Sequence, residues 1–143
     1  MADLHIEEFY QDSGKILLQL YRVFPRPTSV FVEDIAGADC ADEFGLHGKR
    51  HLACLGTMLW LAEENLIRYD SLISQDAIDQ GVLTQQGLAT LIRLLPAYSG
   101  EGQQSLSAIH NIQHCLHHGT STQMASLMQQ VLFPHLTRGS DQA

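Results

Sequence analysis

Residues 49–91 read KRHLACLGTMLWLAEENLIRYDSLISQDAIDQGVLTQQGLATL, and the fold turns on this stretch. Leu52, Leu55, Leu59 and Ala62 recur at intervals of three, four and three residues, the pattern of one apolar helical face. Glu63-Glu64-Asn65 ends this helix, since asparagine tolerates the left-handed backbone of a C-terminal cap. Leu66-Ile67-Arg68-Tyr69 reads as a short strand and Gly81-Val82-Leu83 as its return partner. Ser71 to Gln80 between them is mostly polar, so Ser74 to Asp79 is expected as an exposed hairpin loop. Thr84 is a good N-cap for a second helix carrying Leu88, Leu91, Ile92 and Leu95.

Two segments of this stretch, TMLWLAEENLIRY (57–69) and VLTQQGLATL (82–91), resemble the second half of a winged helix-turn-helix domain. In such families the first is the recognition helix running into the first wing strand. The second is the return strand running into the helix after the wing. With Ile6 to Val23 as the leading helix, the resemblance spans roughly the first two-thirds of the chain. It implies a bacterial-type, transcriptional-regulator-like protein with DNA as its partner. Fold does not fix function, and the alternative is a winged helix that binds a partner protein and no DNA.

Upstream, Ile6, Phe9, Tyr10, Ile16, Leu17, Leu20, Val23 and Phe24 keep helical periodicity. Ser13-Gly14 weakens the centre of that helix, where glycine costs about 1 kcal/mol relative to alanine. Pro25 and Pro27 stop it. Thr28 to Val32 is β-branched and aromatic and suits a strand pairing with the wing. Glu33 to Ala36 begins a short helix that Gly37 ends. Ala38 to Gly48 reads as an irregular connection, longer than the turn of a minimal helix-turn-helix.

Downstream, Pro96 ends or kinks the helix after the wing, and Ser99-Gly100-Glu101-Gly102 is a linker. Gln103 to His118 reads as a helix with Leu106, Ile109, Ile112 and Leu116 apolar and Gly119 as its C-cap. A last helix starts at Thr120 or Ser121 and carries Met124, Leu127, Met128, Val131 and Leu132 before Pro134. The expected architecture is mostly α with a small β-hairpin: a winged helix-turn-helix domain over residues 1–98 and a C-terminal helical extension over residues 99–143. Helices this short need a surface to bury against, either the first domain or a second subunit in a homodimer.

The formal charge of −8 makes the average field repel nucleic acid and anionic membranes. Only eight Lys and Arg are available to build a local basic patch. No apolar run is long enough for a membrane span, and the opening MADLHIEEFY is acidic and polar, so a cytoplasmic protein without a membrane partner is expected. Cys40, Cys54 and Cys115 are odd in number, widely spaced and without CxxC, which points to reduced thiols.

If the resemblance extends to DNA, the contacts fall on the helix from Lys49 and on the wing. At about 100° per residue, Arg50, Ala53, Cys54, Thr57 and Leu61 lie opposite Leu52, Leu55 and Leu59. Lys49 and His51 flank the start of that face, and Arg68 sits on the first wing strand. Lys49, Arg50, His51, Thr57 and Arg68 are therefore the candidate DNA-binding residues. A base-reading face is usually richer in Arg, Lys, Asn, Gln and Ser, and Asp70, Asp76 and Asp79 make the wing a poor phosphate partner. The plainer reading is that Lys49 and Arg50 are ordinary solvated charges and that protein covers the face.

His110, His114 and His117 fall within about 60° on one helical face, with Cys115 and His118 beside them and His135 in reach from the last helix. Histidines at i and i+4 suit zinc. The helix holds no carboxylate to complete a site, so exposed surface histidines, no metal and no cofactor are expected. No cysteine or serine lies in a nucleophile-elbow or Cys-His signature. No Walker or Rossmann glycine pattern is present, and an enzyme is not expected. Trp60 and Tyr69 read as closing the core rather than forming a ligand cage.

Overall fold

The computed structural model describes residues 3–39, 44, 46–100 and 104–135. The first helix, α1 (Leu4–Val23), is the centre of the molecule. It buries Tyr10, Asp12, Ser13, Gly14, Ile16, Leu17, Leu18 and Leu20, more than one stripe, because partners pack on several of its sides. The Ser13-Gly14 step has a structural purpose. A Cβ at Gly14 would collide with the Met124 side chain, so glycine lets a C-terminal helix lie directly on α1. The Ser13 hydroxyl bonds back to the Phe9 carbonyl at 2.8 Å, which satisfies it inside the core.

After the prolines, β1 (Thr28–Phe31) leads into α2 (Val32–Ala36), and Gly37 with φ of 92° ends that helix. The central helix is α3 (Lys49–Glu63). Asn65 takes the left-handed conformation at φ of 63°, as its cap position requires. The strands β2 (Ile67–Arg68), β3 (Ser71–Ile73) and β4 (Ala77–Leu83) follow. The sheet is antiparallel with order β1-β4-β2, and β3 also pairs with β4. The expected pairing of β2 with the return strand β4 is present, with Ile67 opposite Leu83 and Arg68 opposite Val82.

The hairpin loop is shorter than its polarity suggests. Ala77 and Ile78 are fully buried and pair with Phe31 and Val30 on β1, leaving Ser74 to Asp76 as the turn. The reason is tertiary. A third strand stands beside the hairpin and buries two apolar residues set in a polar run.

The buried stripe of α3 also differs from expectation. Leu55 is core, but Leu52 is 43% exposed and Leu59 and Ala62 are only half-buried. His51, Cys54, Met58 and Leu61 take the inner face, with Thr57 at its edge. They repeat the same three-four-three spacing one residue earlier, a rotation of about 100°.

Helix α4 (Gln85–Ile92) starts at Thr84 as expected. The Thr84 hydroxyl accepts from Gly87 N–H at 3.0 Å and donates to the Asn65 carbonyl at 2.6 Å, tying the end of α3 to the start of α4. The helix stops at Ile92 rather than reaching Leu95. Pro96 disfavours helical backbone at the residue before it. Leu94 to Pro96 forms β5, paired with β6 (Ser105–Ser107) in a second small sheet that the helical periodicity hides. The next helix is accordingly shorter than expected, α5 (Ala108–His118), capped by Ser107. The last is α6 (Ser121–Leu132), opened by a reciprocal capping box of Thr120 and Gln123.

Both C-terminal helices pack on α1. Their stripes, Ile109, Ile112 and Cys115 on α5 and Met124, Leu127, Met128 and Val131 on α6, join the same hydrophobic core as Ile16, Leu17 and Leu20. Phe9, Trp60 and Phe133 stack edge to face across α1, α3 and the end of α6. Of the two surfaces expected for these stripes, the first domain or a second subunit, they bury against the first. Among the described residues no helix is long and apolar enough to cross a membrane.

Candidate functional site

The first turn of α3 is held between α1, the segment before it and the β3–β4 turn. Arg50 reaches α1, where Nη1 and Nη2 bond the two oxygens of Asp12 at 2.7 and 2.6 Å and Nε lies 3.2 Å from Glu8. The Asp12 side chain is 1% exposed, so this fork neutralises a buried carboxylate. The same hydrogen bonds push Arg50 above its ordinary pKa. A guanidinium committed in this way is not presented to a base.

His51 is 2% exposed and points inward. Its Nε2–H donates to the Gln75 carbonyl at 2.8 Å. Its Nδ1 is buried without a hydrogen-bond partner. The ring of His47 stacks on it, with centroids 3.8 Å apart and planes within 4°. His47 donates from Nδ1 to Asp39 Oδ2 at 2.7 Å, and its Nε2 lies 3.2 Å from Asp76 Oδ1. The Gly48 N–H also donates to Asp39. The His47 hydrogen bond, helped by Gly48 and the neighbouring imidazoles, holds Asp39 below the usual carboxylate value against its partial desolvation.

The five candidate DNA-binding residues do not form one surface. Lys49 and Arg68 are exposed. Arg50 is paired to α1, His51 is inside, and Thr57 is 4% exposed with its hydroxyl bonded to the Ala53 carbonyl at 3.1 Å. Of the face expected to point outward, Cys54, Thr57 and Leu61 are buried, Arg50 is paired to α1 and Ala53 stays exposed. The solvent arc of α3 instead carries Lys49, Leu52, Ala53, Gly56 and Glu63. A groove between this helix and α1 is lined mainly by apolar groups, among them Ile6, Phe9, Ala53, Gly56 and Trp60.

Cys54 is fully buried between Asp12 and the core, and desolvation followed by the Asp12 charge pushes its thiol up to about 12. Burial raises Cys115 as well. Neither has the thiolate character of a nucleophile. Cys40 lies outside the described residues. His110, His114, His117 and His118 are exposed, as expected of surface histidines, and His114 Nδ1 pairs with the Tyr98 hydroxyl at 2.7 Å. Among the described residues, the group of histidine, cysteine and acidic side chains whose ligand atoms converge is Asp39, His47 and His51, all within 4.8 Å of one another.

No known protein family, curated protein or solved structure matches this chain.

Sequence reading missed Asp39, His47 and Asp76. One signal was present, the pair His47 and His51 at i and i+4 across the start of a helix. Its partners Asp39 and Asp76 come from a connection and a hairpin turn, and no helical period marks either.

Proposed function

We propose that this chain is a non-enzymatic winged helix-turn-helix module of the transcriptional-regulator type, and that its central helix docks a partner protein instead of reading DNA. The succession α1, β1, α2, α3, β2, β3, β4 and α4, with β4 between β1 and β2 and also paired to β3, supports the winged-helix part. The observation that carries the docking part is the solvent arc of α3. Leu52, Ala53 and Gly56 offer bases no hydrogen-bonding side chain, whereas small residues let a partner's backbone come close. Nothing lies within 4 Å of where a Gly56 Cβ would be, so the approach is open. With a charge of −8 on the chain, the fitting partner is an apolar helix or hairpin with basic flanks.

The test has two arms. A photo-crosslinking side chain at position 53 should capture one discrete protein in extracts of the source cells, with loss of that band in Gly56→Arg. Selection from a genomic DNA library at low salt should enrich no sequence. Enrichment of a sequence whose binding is lost in Lys49→Ala or Arg68→Ala overturns the proposal in favour of a DNA-binding regulator.

A further inference from the structure

We infer that Asp39, His47 and His51 form a binding site for one divalent transition-metal ion of the zinc class. The inference starts from the orphan atom. His51 donates Nε2–H to the Gln75 carbonyl, and its Nδ1, the lone-pair nitrogen of the neutral ring, is buried with no hydrogen-bond partner. A second acceptor, the partly exposed Asp39 Oδ2, lies 3.8 Å away. A buried, unpartnered acceptor facing a carboxylate oxygen calls for a cation between them. Zinc sits about 2.0–2.2 Å from nitrogen and carboxylate ligands, and an ion at that distance from both atoms fits this gap.

The donor set and its surroundings suit such an ion. Imidazole nitrogen with one carboxylate is a borderline ligand set, matched to zinc, cobalt or nickel rather than to magnesium or calcium. A ligating histidine usually gives its other N–H to a carbonyl or carboxylate, which fixes its orientation. Both histidines already have such a partner, His51 in the Gln75 carbonyl and His47 in Asp76. The ion takes the place of the proton between His47 Nδ1 and Asp39, and His47 then carries its proton on Nε2, facing Asp76 Oδ1 at 3.2 Å. An imidazole ligates in its own ring plane, so His47 turns out of its parallel stack on His51 when it binds. Three protein ligands leave a fourth position for water or for a group from a partner. The ligands come from the connection before α3 and from its first turn, and their supporting groups come from the β3–β4 turn. The bound ion thus clamps the hairpin tip to the central helix.

The experiment uses the full chain prepared without a metal-affinity tag and stripped by chelator. Cobalt(II) is titrated and followed by its visible absorption, which reports coordination geometry, and zinc is titrated in competition. The expected result is one equivalent per chain with a four-coordinate spectrum at tens of micromolar metal, an order-of-magnitude scale for moderate affinity. Asp39→Asn and His47→Gln, both at partly exposed positions, should abolish the spectrum with unchanged circular dichroism. Asp76→Asn should weaken binding by about 10–100-fold. His114→Ala should leave binding untouched. Absence of cobalt binding overturns the inference, as does binding that survives both Asp39→Asn and His47→Gln or that is lost in His114→Ala. The site stands or falls apart from the docking proposal, because it is read from metal binding alone.

Discussion

Arg50 spans from the first turn of α3 to Asp12 in the middle of α1 and bonds both of its carboxylate oxygens, at 2.7 and 2.6 Å. The guanidinium at the start of α3 is thereby spent on holding that helix to its neighbour. Removing one partner of a buried pair costs about 3–5 kcal/mol. The Arg50 side chain is 36% exposed, so solvent screening lowers the expectation for Arg50→Ala to about 2–3 kcal/mol. The double variant Asp12→Leu with Arg50→Met should be the more stable, since no charge is left stranded. Urea denaturation of the three proteins checks this. Equal stability of Arg50→Ala and wild type would show that the fork is not formed.

Met58 is fully buried and Leu59 half-buried on α3. Met58→Ala should cost about 2–5 kcal/mol, as for a filled core position. Leu59→Ala should cost clearly less. Chemical denaturation midpoints decide between the two stripes of the helix, and a reversed order would restore the stripe through Leu52 and Leu59.

Two helical glycines should respond with opposite signs. At Gly56 a methyl group meets open space, so Gly56→Ala should stabilise by about 0.5–1 kcal/mol through helix propensity. At Gly87 in α4 the same methyl collides with the Leu66 backbone carbonyl, which cannot move aside as a side-chain tip can, so Gly87→Ala should lower the melting temperature. Thermal melts of the two variants suffice.

Cys54 has an alkaline signature. Its thiol is pushed from 9.0 to about 12 by desolvation and then by Asp12. A group whose pKa is raised on folding contributes stability that is complete below its unfolded value and is lost as pH climbs toward the folded one. Stability should therefore fall between pH 9 and pH 12, by about 1.4 kcal/mol per unit at most from this group. Cys54→Ala should be less stable at neutral pH yet show a shallower alkaline loss. Iodoacetamide at pH 8 should leave native Cys54 unmodified and label it after unfolding, as followed by mass spectrometry.

The sequence alone determined what depends on near neighbours along the chain. Pro25 and Pro27 close α1, Asn65 caps α3 with its left-handed backbone, Thr84 and Thr120 open helices, and Ile67-Arg68 pairs with Val82-Leu83 as a strand and its return. Each is a backbone preference or capping bond acting over a few residues. Tertiary structure decided which of two equal stripes on α3 faces inward. Leu52-Leu55-Leu59 is the more apolar, but His51 and Arg50 find partners in Gln75 and Asp12, 24 and 38 residues away, and those bonds accompany the stripe through Cys54, Met58 and Leu61. The β5–β6 pair and the burial of Ala77 and Ile78 likewise need a second strand from elsewhere in the chain. The cluster of Asp39, His47 and His51 has the same origin. Its side chains gather from a connection and a helix, around a buried nitrogen whose lack of a partner is a property of three-dimensional packing.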